Sequence, residues 1–116
     1  MCRISGIVSE INTQNLSEDV KAMCDAMRHG GPDDEGLYLS PDGRICLGHR
    51  RLSLLDLTTA GHQPMSAEDD KFWICFNGEV YNFLEIRREL EVLGHTFRSG
   101  TDTEVILKSY IQKQLA

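Results

Sequence analysis

Long apolar runs are missing from this chain. No stretch approaches the ~20 residues a helix needs to cross a bilayer, and the N-terminus carries neither the basic flank nor the apolar core of a secretory signal. Position 2 is cysteine rather than the glycine that N-myristoylation requires. No membrane is therefore expected as a partner, and the chain reads as cytoplasmic, in a compartment where thiols stay reduced. Paired cysteines are lacking as well. Cys2, Cys24, Cys46 and Cys75 form no C-x-x-C unit, and His29, His49, His62 and His95 sit in four separate segments without an i, i+4 partner, so no metal site is expected. Basic clusters are also wanting: 12 Lys and Arg stand against 18 Asp and Glu, a net charge of −6 that argues against nucleic acid as a partner. SxxK, GxSxG and phosphate-cradling glycine patterns do not occur, nor does any repeat or low-complexity tract.

What is present suits a globular fold. The 116 residues are 41% apolar and 26% charged, enough for one domain or part of one that buries roughly two-thirds of its unfolded surface. "RISGIVSEI" reads as a strand over 3–11 that begins almost at the first residue. Leu16, Val20, Met23, Cys24 and Met27 make one helical face over 16–28, with Asn15 and Glu18 as a capping pair. "HGGPDDEG" ends that helix in an exposed turn whose carboxylates read as solvated. "GLYLS", "RICLGH" and "LSLLDL" read as strands, the first two joined through "PDG", and "TTAGHQPMSAEDD" as a loop. "KFWICF" is apolar enough to be a strand buried on both faces. Phe83, Ile86, Leu90 and Leu93 then stripe a helix capped by Asn82 and Glu85. Thr101 and Glu104 cap another, with Ile106, Leu107, Tyr110 and Ile111 facing inward and Glu104 pairing with Lys108 on the surface. Without regular βαβ alternation, the expected class is α+β, helices packed on antiparallel sheet.

Four places could carry chemistry. If Met1 is removed, Cys2 holds a thiol and a free α-amine on one residue; the amine, with an ordinary pKa of about 7.7 to 8.0, can take the thiol proton as a built-in base. A small residue tolerated at position 2 is the plainer explanation. Asn77–Gly78, after an apolar run, is either a hairpin turn or a pair of donors aimed at an oxyanion. His49, Arg50 and Arg51 lie between apolar segments, where a guanidinium needs a carboxylate, from a salt bridge or a ligand. Asp102 falls in the first turn of a helix, where capping alone would account for it.

Taken together, "MCRISGIV", "RHGGPDDEG", "LGHRRLSLLDL", "GHQPM", "FNGEVYNFLEIRREL" and "GHTFRSGTDTEVIL" resemble, in order and from end to end, the glutamine-hydrolysing domain of glutamine-dependent asparagine synthetases, a class II amidotransferase of the N-terminal-nucleophile hydrolase type. The resemblance implies that Cys2 is the nucleophile that forms a γ-glutamyl thioester. It further implies that Asn77 and Gly78 form the oxyanion hole, that Arg51 binds the α-carboxylate of L-glutamine and Asp102 its α-amino group, and that Leu52, Leu55 and Glu79 line the pocket. One base and one acid at fixed separation would select an amino-acid zwitterion. It implies no cofactor for this chain; ATP and magnesium belong to a synthetase domain, absent here, that receives the ammonia, and full-length members are expected as homodimers.

The sequence departs from the family pattern in three ways. Arg3 stands where many relatives have a small residue; strand alternation points it away from the site. Gly30 stands where an arginine is common, which implies a lost loop-fixing hydrogen bond. Relatives also continue with further strands, so 1–116 is expected to be the N-terminal part of the domain, an incomplete fold needing a complementing half. Two rival readings accompany the enzyme: a catalytically silent fragment or glutamine-binding module, and a structural piece that folds only beside its missing half.

Overall fold

The computed structural model describes residues 2–11, 15–52 and 58–115. Among these residues, two small antiparallel sheets and three α-helices make up an α+β fold. The first sheet is formed by β1 (Arg3–Val8), β2 (Asp34–Leu39) and β3 (Ile45–Arg51), in the order β1-β3-β2. β2 and β3 are joined by the expected tight turn, in which Gly43 adopts φ 70°, a left-handed conformation that glycine reaches without strain. Helix α1 (Leu16–Ala26) lies on one face of this sheet and seals a core of Leu16, Val20, Cys24 and Cys46, with Ile7 packed against it. Its apolar stripe is narrower than the sequence implied, since Met23 is exposed.

The second sheet pairs β4 (Met65–Ala67) with β5 (Phe72–Ile74). Helix α3 (Asp102–Leu115) packs Leu107 and Ile111 on it, against Met65, Ala67, Phe72 and Ile74. Helix α2 (Phe83–Val92) neighbours α3 and buries Leu90. The two sheets meet where Tyr38 of β2 stacks on Trp73 of β5, with ring centroids 3.8 Å apart, a pairing whose offset-stacked form adds about 1 kcal/mol to the burial itself.

Several expectations give way. "KFWICF" is not a doubly buried central strand: only Phe72–Ile74 pairs, and those three residues are half-buried. The loop before it contains β4 and a 3-10 turn, Thr59–Gly61. β1 stops at Val8, and residues 53–57 of the expected "LSLLDL" strand lie outside the described residues, Leu55 among them. Neither Asn15 nor Asn82 caps its helix through its side chain. Leu93 and Tyr110 are exposed. Glu104 does not meet Lys108; it is buried at 3% exposure, while Lys108 reaches Glu68 at 3.6 Å. The acidic turn is not simply solvated either, because Asp34 bonds His62 and Glu35 bonds Arg50 at 2.9 Å.

Candidate functional site

Where the end of β3 meets the segment after β5 and the start of α3, a cavity of about 290 Å³ opens. Cys2, Arg51, Leu52, Asn77, Gly78, Glu79 and Asp102 all line it, so every described residue to which the resemblance gives a site role reaches one space, whereas His49 and Arg50 do not line it. Leu55 is outside the described residues.

Cys2 enters from the start of β1. Its sulfur accepts the Leu52 backbone N–H at 3.2 Å and its thiol approaches the Leu52 carbonyl at 3.6 Å, so the residue after β3 brackets it. Arg51, the last residue of β3, is buried and donates from Nη1 to the Thr58 carbonyl at 2.8 Å. Its other terminal nitrogen, Nη2, lies where a Cβ on Gly61 would stand, 2.2 Å away, so the absence of a side chain there admits the guanidinium. Asp102, 6% exposed, accepts the Val80 N–H at 2.9 Å. Capping of α3 falls instead to Thr101, whose hydroxyl accepts the Glu104 N–H at 3.4 Å. Asp102 is thereby left facing the cavity opposite in charge to Arg51.

The hairpin reading of Asn77–Gly78 fails, because neither residue is in a ladder and Gly78 does not take a positive φ. What fixes the pair is Phe76. Its N–H donates to Gln63 Oε1 at 2.7 Å, and its carbonyl accepts from His49 Nε2 at 3.2 Å. The Phe76 ring folds under Gly78, within 2.9 Å of where a Cβ would be, so a larger residue there would displace it. Gln63 in turn donates to Thr103 Oγ1 at 3.1 Å, tying the clamp to α3. Sequence reading missed Gln63 and treated His49 as structural or solvated; "GHQPM" held the only signal for Gln63, as part of a motif without a role.

Because a carbonyl can only accept, His49 must carry its proton on Nε2. That leaves Nδ1 as a buried lone pair with no hydrogen-bond partner among the described residues. Burial chiefly, with some help from the Arg51 charge, holds this imidazole below its ordinary pKa, against the Phe76 hydrogen bond that pulls the other way. His49, 1% exposed, is a neutral strut. The remaining thiols are less reactive: Cys24 and Cys46 are fully buried, burial raises Cys46, and burial together with the two neighbouring thiols pushes the partly exposed Cys75 up to about 12.

Arg3 does not stay clear of the nucleophile as strand alternation implied. Its side chain crosses Gly30 and its Nη1 donates to the Cys2 carbonyl at 3.1 Å. The two positions where the sequence departs from the pattern it resembles thus touch each other. Among the described residues no group of three or more His, Cys, Asp or Glu could hold a metal ion, and no helix is long and apolar enough to cross a membrane.

Residues 1–114 match the family described as a glutamine amidotransferase domain. Similar curated proteins include asparagine synthetase (glutamine-hydrolyzing) 1 of Bacillus subtilis strain 168, 42% identical over 95% of this chain and 17% of that protein. Asparagine synthetase (glutamine-hydrolyzing) 3 of the same organism is 37% identical over 98% of this chain and 19% of its own length. The corresponding enzyme 3 of Arabidopsis thaliana is 36% identical over 95% and 18%. The chain spans less than a fifth of the length of these three relatives.

Proposed function

The chain belongs to the glutamine amidotransferase domain family, and from that premise we propose that it hydrolyses L-glutamine to glutamate and ammonia through a thioester on Cys2. One observation carries the reading. A single cavity gathers a thiol at the chain's start, a buried cation, a buried anion and the Asn77–Gly78 segment, each held by backbone or buried side-chain bonds. In this reading Met1 is removed and the Cys2 α-amine takes the thiol proton. The sulfur then attacks the side-chain amide carbon of glutamine. The Asn77 amide and the Gly78 N–H receive the oxyanion, a service whose loss typically costs about 100- to 1,000-fold in rate. The α-ammonium returns its proton to the leaving nitrogen, ammonia departs, and water cleaves the thioester to release glutamate. Arg51 takes the substrate α-carboxylate and Asp102 its ammonium, while Leu52 and Glu79 line the pocket around the rest of the substrate.

The relatives are named glutamine-hydrolyzing asparagine synthetases, and the proposal extends to what the resemblance implies: the ammonia passes to a cytoplasmic synthetase domain, which would need ATP and magnesium to activate aspartate. The outer face of the β1-β3-β2 sheet supports the view that residues 1–116 are one part of a larger domain, since Ile4, Val8 and Ile45 stand exposed there. Exposed apolar area of that kind ordinarily marks a surface awaiting a cover.

The test is ammonia release from glutamine by protein whose Met1 loss is verified by intact mass. The expected outcome is turnover that Cys2→Ala abolishes, with an electrophilic glutamine analogue adding once, at Cys2. Glutamine-dependent thermal stabilisation without turnover in the processed wild type would replace the enzyme by a binding module. Neither stabilisation nor turnover would leave a structural piece.

A further inference from the structure

Cys2 lies outside the β ladder, which begins at the Arg3–Arg50 pair. Once Met1 is gone it is also a chain end, and chain ends fray unless something ties them down. Leu52 holds its sulfur, but the sulfur is the atom that must move onto substrate. A tether that leaves the thiol free has to grip the backbone.

Arg3 makes such a grip. Its Nη1 donates to the Cys2 carbonyl at 3.1 Å. Glycine at position 30 keeps this path clear: a Cβ there would stand 2.6 Å from both Arg3 Cζ and Nε and 2.9 Å from Cγ, so the side chain would have to shift. The platform is firm, since Gly30 ends the 3-10 turn Arg28–Gly30 and Gly31 presses on the Arg50 backbone. Arg50, directly across the ladder, is engaged by Glu35 at 2.9 Å, so the two guanidinium groups have separate partners.

We propose that Arg3 is a positioning residue for the nucleophile: its guanidinium, laid over Gly30, fixes the Cys2 carbonyl and so sets the direction in which the residue presents its amine and thiol to the cavity. The inference rests on the reading of Cys2 as nucleophile. It also makes a geometric prediction. The missing Cβ of Gly30 points into the volume the Arg3 guanidinium fills, so an arginine grown from position 30 can deliver the same group from the other side.

Three forms of the whole processed chain test this: wild type, Arg3→Ser, and Arg3→Ser combined with Gly30→Arg. Arg3→Ser is expected to lower kcat by roughly 10- to 100-fold, the range of a lost hydrogen bond to a charged group, with KM unchanged within about twofold because the bond touches no part of the substrate. The double variant is expected to regain most of that loss, and Arg3→Lys, with a charge but no fork, to fall between. Unchanged kcat in Arg3→Ser overturns the proposal, as does a folded double variant no faster than Arg3→Ser. A second measurement is independent of turnover. By carbon NMR relaxation the order parameter of the Cys2 Cα–H bond, which remains observable when the residue carries a free amine, is expected near the rigid value of about 0.85 in wild type and below about 0.6 in Arg3→Ser. Equal order in both overturns the proposal even where the wild type proves inactive, an outcome that by itself defeats only the glutaminase reading.

Discussion

Helices α2 and α3 begin with the same kind of sequence signal, Asn82 with Glu85 in one and Thr101 with Glu104 in the other, yet only one start is built. At α2 the Asn82 side chain caps nothing, and the neighbouring Tyr81 and Leu84 are exposed. At α3 the Thr101 hydroxyl meets the Glu104 N–H, and the buried Glu104 carboxylate accepts from the N–H groups of Arg98 and Ser99 and from the Ser99 hydroxyl at 2.7 to 3.1 Å. The difference is location. The α3 start is buried, with Ser99 and Thr101 at 7% exposure and Glu104 at 3%, so water does not satisfy loose backbone groups there, whereas the α2 start is open to solvent and it can. A capping motif therefore states what a helix end is able to do, and burial decides whether it must.

That contrast breaks most visibly through the carboxylates. Glu104→Ala, which strands several buried donors at once, is expected to destabilise by about 3 kcal/mol in urea denaturation, against less than about 0.5 for Glu85→Ala. Next come the caps. Thr101→Ala should cost about 1 kcal/mol and Asn82→Ala a few tenths, and an equal cost for both would show that burial does not govern the difference. The smallest effect concerns His49, the strut between the two sheets. Its folded pKa is depressed, so its neutral form stabilises the fold above the ordinary histidine value near 6.5, and that contribution is lost as pH falls through 6.5 toward the folded value. A series of melts from pH 8 to pH 5 should show wild type losing stability on the acid side and His49→Gln losing less of it.

The same division explains what could be read from the sequence. β1, the β2–β3 hairpin and the three helices announced themselves through periodicity and turn residues, which are local signals. β5 misled because apolarity does not say who takes the backbone bonds. The Phe76 N–H and carbonyl, which a longer strand would have offered to a neighbour, go to the side chains of Gln63 and His49, residues 13 and 27 positions away. Glu104 was assigned to Lys108 because i, i+4 spacing permits it, but the backbone groups of Arg98 and Ser99 lay closer. The site was legible chiefly as a set of motifs in order. Its supports were not, for Gln63, His49 and Arg3 act through contacts set by the tertiary fold.

The withdrawn thiols give the molecule a chemical economy of its own. Cys24 and Cys46 are sealed under α1, and Cys75 is held as a thiol that does not ionise at physiological pH. Cys2 and Cys75 are both partly exposed, but with Cys75 kept protonated a soft electrophile added to the folded chain reacts first at Cys2, which stands at the cavity wall. A fluorophore, a heavy atom or a crosslinker can be installed beside the substrate pocket with every native cysteine left in place. The stoichiometry of that labelling, read from a single mass, then doubles as a measure of how much of a preparation is folded.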